Sequence, residues 1–168
     1  MFTILNLMAI STGRLVNASD RLVEHQGRLV FKANYFIANI DTTKTSAGST
    51  LNNQFRIPTY STGSYAFQIY WGDGTEDEIL SWDQAEITHT YAEAGVYQII
   101  IYGEFNGWRF VNTGDRLKLI TILRWGDLEM GSLDQNFYGC TNLDIQAIDT
   151  PILSGKSDYS FCFRGCTS

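Results

Sequence analysis

Trp71-Gly72-Asp73-Gly74-Thr75 and, further along, Ile87-Thr88-His89-Thr90-Tyr91-Ala92-Glu93-Ala94-Gly95-Val96-Tyr97-Gln98-Ile99-Ile100-Ile101-Tyr102 form the stretch whose reading decides the fold. Leading into it, Tyr65, Phe67, Ile69 and Trp71 alternate with Ala66, Gln68 and Tyr70. A period of two marks a half-buried strand. Gly72 and Gly74 can take the positive φ of a tight turn, and Asp73 can bond its own backbone there. Glu76, Asp77 and Glu78 then read as a solvated run. Gly95 interrupts the chain before Val96 to Tyr102, a β-branched and aromatic run suited to a central strand. The pattern predicts β-hairpin units of a sandwich with Trp71 and Tyr97 in its core.

These residues resemble the signature of the polycystic-kidney-disease (PKD) domain: an aromatic-x-Gly-Asp-Gly turn, a His-Thr-Tyr and a Gly-x-Tyr. PKD domains are immunoglobulin-like spacers and binding modules of cell surfaces and phage particles. The resemblance implies a mainly β, immunoglobulin-like sandwich with an extracellular, non-enzymatic role.

The 168 residues suffice for one ordinary domain or two small ones. An apolar share of 44% with 14% aromatics supplies a packed core and argues against disorder. Fifteen glycines against two prolines suit many short strands joined by turns. A net charge of −6 without any basic cluster argues against nucleic acid or an anionic membrane as partner. No apolar run approaches the ~18 residues of a membrane span. The apolar start, Met1 to Ile10, has no Lys or Arg before it and no small-x-small cleavage site, so it reads poorly as a signal peptide. A virion protein assembled in the cytoplasm needs none, whereas an exported adhesin does.

Three regions separate. In residues 1–33, Arg14-Leu15-Val16, Arg21-Leu22-Val23 and Arg28-Leu29-Val30 recur every seven residues with turn formers between them. A heptad helix is disfavoured, because each apolar pair is followed by a turn signal. The expectation is a set of short extended segments, either an arm that docks on something larger or a β-meander packed on its own sandwich. Residues 34–105 form the PKD-like unit, with strands at Asn34 to Ile40 and Gln54 to Ile57 before the hairpins already described.

Residues 106–168 carry a repeat of period 26: Leu117, Leu119 and Ile122 return as Leu143, Ile145 and Ile148, and Phe137, Gly139, Cys140 and Thr141 as Phe163, Gly165, Cys166 and Thr167. A fixed period in the twenties with Leu/Ile on a strand marks a leucine-rich-repeat solenoid. The Phe-x-Gly-Cys-Thr-Asn-Leu form resembles the BspA-like leucine-rich repeats of bacterial surface proteins, in which a PKD-like domain often precedes the repeats. Fewer than two units are present, where solenoids usually need about three. Either the mature protein is longer, or the sandwich or a neighbouring subunit covers this incomplete segment.

Candidate chemistry is sparse. Gly155-Lys156-Ser157 looks like the end of a phosphate loop, but Thr150 stands where its first glycine belongs, with Pro151 next. Asp73, Glu76, Asp77, Glu78, Asp83 and Glu86 match no calcium-loop spacing, and read as a solvated turn rather than a glycosidase pair. Cys140, Cys162 and Cys166 lack a fourth ligand for zinc and read as buried free thiols. His25 and His89 are the only histidines, and His89 is expected to make a structural bond beside the Gly-Asp-Gly turn. No Ser or Cys has a nucleophile context. Trp108 and Trp125 are expected at the junction of sandwich and repeats, buried rather than stacking on sugars.

The sequence thus assigns no catalytic, cofactor-binding or metal-ligating residue and names no ligand-binding one. The resemblances imply a virion-surface protein (head fibre, decoration or tail appendage). Residues 1–33 would anchor it to capsid or tail proteins, as a homo-oligomer facing a host protein or glycan. The alternatives are a bacterial cell-surface adhesin fragment and an accessory module of a carbohydrate-active enzyme.

Overall fold

The computed structural model describes residues 21–25, 28–32, 34–153, 155 and 158–168. The Arg14-Leu15-Val16 unit, the apolar start, and Lys156 and Ser157 lie outside the described residues. The remaining two Arg-Leu-Val units open strands β1 (Arg21–His25) and β2 (Arg28–Lys32). These pair antiparallel with Val23 opposite Val30, as a sheet of their own. The seven-residue spacing is therefore that of two paired five-residue strands, with His25 opposite Arg28.

Eight further strands follow: β3 (Phe36–Asp41), β4 (Gln54–Arg56), β5 (Ser64–Tyr70), β6 (Glu76–Ile79), β7 (Thr88–Thr90), β8 (Val96–Asn106), β9 (Leu119–Arg124) and β10 (Asp144–Ile145). Six of them form one mixed sheet in the order β10-β9-β3-β8-β5-β6. Every pairing is antiparallel except β10 with β9. Strand alternation puts Phe36, Ala38 and Ile40, then Tyr65, Phe67 and Ile69, then Ile99, Ile101 and Phe105 on one buried face. Burying each of these Phe and Ile side chains contributes roughly 1.5–3 kcal/mol. A second layer, β4 paired with β7, brings Phe55, Ile57, Ile87 and Tyr91 into the same core. No helix of the described residues is long and apolar enough to cross a membrane.

The strand that begins at Val96 runs further than its apolar run suggested. β8 continues past Tyr102 to Asn106, and Gly103 in it has φ +113. A Cβ there would sit 2.6 Å from the Ala66 carbonyl, so only glycine lets β5 and β8 stay paired through this point. The expected boundary at 105/106 falls on the end of β8. Beyond it, β9 pairs directly with β3, so residues 34–105 and the repeat segment share one sheet and one hydrophobic cluster.

In the repeat segment, parallel bridges join Asn106 to Glu129 and Glu129 to Ile152. The turn at 135–143 lies on the turn at 161–168. Phe137 and Phe163 stack at 5.2 Å and 5°, and the N–H groups of Gln135, Phe137 and Gly139 donate to the carbonyls of Ser160, Cys162 and Arg164. The strand part keeps a different register. The sequence repeat set Ile122 against Ile148, but β10 sets Ile145 against Ile122, and Ile148 is fully exposed. The cause is β9, which also pairs with β3 through two register irregularities. Leu117 and Leu143 hold equivalent places, each carbonyl accepting a side-chain bond from Asn142 or Ser168. Thr121 nevertheless pairs with Asp144, so residues 118–120 are extra in the first unit.

Candidate functional site

Trp71 leaves β5 into the turn, where Gly72 and Gly74 have φ +87 and +93. At Gly72 a Cβ would meet the Gln98 carbonyl at 2.5 Å, so the turn packs against β8 through bare backbone. Asp73 Oδ1 accepts the Thr75 N–H (3.0 Å) and hydroxyl (2.6 Å), which closes the turn. Its Oδ2 accepts His89 Nε2–H at 2.8 Å. The imidazole stacks on the Trp71 indole (4.7 Å, 11°) and meets Tyr91 edge-on (4.5 Å, 85°). Tyr91 donates its hydroxyl to the Trp71 carbonyl at 3.0 Å and stacks on Tyr97 at 3.8 Å. The register of β7 on β4 delivers His89 here, opposite Phe55.

Electrostatics follow from these partners. Partial burial pushes the Asp73 carboxyl up, but hydrogen bonds from Thr75 and His89 outweigh it and hold the carboxyl below its ordinary value. Burial pushes the Tyr91 hydroxyl strongly up, so it stays a neutral donor. The polar groups of the motif fix the turn and are aimed at one another.

The acidic run divides. Glu76 and Glu78 are exposed, as expected, but Asp77 is half-buried and accepts the Trp71 Nε1–H at 2.7 Å. Alternation in β6 turns Asp77 toward the indole, which a reading of the run as uniformly solvated missed. Asp83 accepts the Ser81 hydroxyl, and Glu86 is exposed. Among the described residues no three His, Cys, Asp or Glu side chains converge as metal ligands would.

None of the three cysteines forms a disulfide with another. Cys140 and Cys162 are buried, the Cys162 thiol lies 3.3 Å from Asn136 Oδ1, and the Cys166 thiol donates to the Phe137 carbonyl at 3.2 Å. Burial pushes the thiols of Cys140 and Cys166 up, away from the reactive thiolate. Trp108 and Trp125 are buried where sheet and repeats meet: Trp108 packs on Phe36 and Phe105 of the sheet and on Phe110 and Phe137 of the repeats. Its indole N–H has no hydrogen-bond partner among the described residues.

Two buried polar centres gave no sequence signal. Lys118 and Asp115 have fully buried side chains, with Nζ 3.3 Å from Oδ1. The ammonium also donates to the Thr50 hydroxyl and the carbonyls of Leu51 and Gln54, each at 2.7 Å, and Asp115 accepts the N–H groups of Thr50 and Arg56. Burial pushes the Lys118 ammonium below its ordinary value, and the Asp115 charge opposes this. The second centre is Asn136, whose Nδ2 donates to the carbonyls of Trp108 and Met130 at 2.7 Å each. A shallow cleft of about 150 Å³ opens beside Asp115, between Thr50, Arg56 and Arg109. Comparison with protein-family models, curated proteins and solved structures returned no significant match.

Proposed function

We propose that this protein is a non-enzymatic structural and adhesion component of a phage virion, a head fibre, decoration or tail appendage. In this reading residues 34–105 are an immunoglobulin-like unit of PKD type, residues 106–168 a short leucine-rich-repeat segment, and residues 1–33 the attachment to the particle. The observation that carries it is the Trp71–Asp73–His89–Tyr91 interlock, with stacked repeat turns built onto the same sheet. An imidazole bonded to a carboxylate and sandwiched by aromatics holds a turn rigid, as a spacer requires. The stacked Phe137 and Phe163 extend that body by regular increments.

Mass spectrometry of purified particles tests the assignment: the chain should be present at a fixed ratio to the major capsid or tail protein. Its absence from particles of a host that expresses it would refute the proposal. Deleting residues 1–33 should leave a folded sheet that no longer incorporates, and the isolated protein should hydrolyse neither polysaccharide nor peptide libraries.

A further inference from the structure

The six-stranded sheet has one face in the core and one turned outward. The second layer lies on the inner face, where Phe55, Ile57, Ile87 and Tyr91 join the core. On the outer face, alternation sets Tyr70 and Gln68 of β5 beside Ile100 and Tyr102 of β8, with Ile37 of β3 beyond. Tyr102 is the centre of a row of rings, 6.2 Å from Tyr70 and 5.8 Å from Tyr35. It is 38% exposed, and Tyr35, Tyr70, Ile37 and Ile100 are half-buried.

Charge beside this row has a single sign. β5, β6 and β8 contain no Lys or Arg, and Glu76, Glu78 and Glu104 are exposed on them. Next to Tyr102, a cleft of about 290 Å³ opens between residues 103–106 and 127–129. It is lined by Glu104, Asp127 and Glu129 and by no basic residue. Each carboxylate is steadied by one neutral donor: the Ser64 hydroxyl on Glu104, Asn34 Nδ2 on Asp127 Oδ1 (2.9 Å) and Asn106 Nδ2 on Glu129 Oε2 (2.8 Å). None of the three is in an ion pair among the described residues. Arg124 on β9 is taken by Asp149.

We propose that this face docks a partner protein through an arginine side chain, its guanidinium in the cleft and its apolar neighbours on the tyrosine row. Charge complementarity selects the occupant. The three carboxylates do not converge closely enough for a metal ion, but a planar guanidinium with five N–H donors can bridge them. It also stacks on aromatic faces, so Tyr102 adds to the same contact. A nucleic acid or other polyanion is repelled by the glutamates. A second copy set face to face would bring carboxylate against carboxylate. Side chains already oriented by Ser64, Asn34 and Asn106 lose little freedom when the partner arrives. The inference goes beyond the virion reading and does not rest on it.

The probe is the capped tripeptide Leu-Arg-Leu, titrated into the full chain while amide shifts are followed by NMR. Saturable shifts should appear at Tyr102, Gly103, Glu104 and Glu129 and weaken as salt is raised. Replacing the peptide's arginine by neutral citrulline should lower affinity about tenfold. Glu104→Gln and Glu129→Gln preserve the shape of the cleft and should each weaken binding about fivefold. Glu93→Gln, on the turn before β8, should change nothing. No saturable shift at ~10 mM peptide, or equal binding of the citrulline peptide, would overturn the proposal. So would tighter binding of spermidine than of the peptide, since the occupant would then be a small polycation. Shifts that grow with protein concentration alone would overturn it too, in favour of a second copy.

Discussion

Lys118→Met removes the one ammonium from a site where five protein oxygens, Thr50 Oγ1, the Thr50, Leu51 and Gln54 carbonyls and Asp115 Oδ1, lie within 3.3 Å of it. Methionine fills similar volume without a charge, so the packing loss is small. What remains is a fully buried carboxylate whose cation has gone. Breaking a buried pair from one side costs about 3–5 kcal/mol. Asp115 keeps the Thr50 and Arg56 N–H bonds, which places the expectation toward the lower end, near 3 kcal/mol. At about 2–4 °C per kcal/mol for a chain of this size, the midpoint should fall by roughly 6–12 °C. Urea unfolding monitored by tryptophan fluorescence measures it, with Asp115→Asn and the double variant completing a cycle. The double variant should be far less destabilised than the sum of the singles. A single-variant loss under about 1 kcal/mol, or strictly additive effects, would show that the pair is solvated and refute the reasoning.

Trp71→Ala empties a fully buried site and breaks the bond to Asp77, so a loss of about 3–5 kcal/mol is expected in thermal unfolding; an unchanged midpoint would disprove the register of β5. Because the folded Asp73 carboxyl lies below its ordinary value of 3.8, its contribution is complete above that pH and is lost as pH falls through the folded value. Asp73→Asn should therefore flatten the stability–pH curve below about pH 4, read by denaturant titrations at stepped pH. Asn136→Ala leaves the Trp108 and Met130 carbonyls without their donor and should cost roughly 2–4 kcal/mol, with the tryptophan fluorescence of the sheet–repeat junction altered.

What the sequence made legible was local. The alternation from Tyr65 to Trp71 and the Gly-Asp-Gly turn are readable because strand period and turn chemistry act between near neighbours, and His89 beside that turn followed from its motif. The twenty-six-residue turns were equally plain, since each unit meets its like. The pairing of β9 with β3 was not, because nothing near residue 120 records a partner some eighty residues earlier. That distant partner is also what shifted Ile145 onto Ile122. Lys118 stayed hidden for a related reason: a lysine reads as solvent-facing unless the carbonyls of residues 51 and 54 are known to surround it.

The position of β3 has a consequence for synthesis. Its hydrogen-bonding neighbours, β8 and β9, are both made much later than it is. A nascent chain leaves the ribosome with Phe36, Ala38 and Ile40 on a strand that has neither neighbour until residues 96–106 and then 119–124 have followed. At about 5–20 residues per second, that wait lasts several seconds. During it, an apolar strand with two open edges is exposed to other chains on the same message. Folding dominated by such distant pairings is slow, so yield should depend on chaperone supply and on translation speed through the polar stretch after β3.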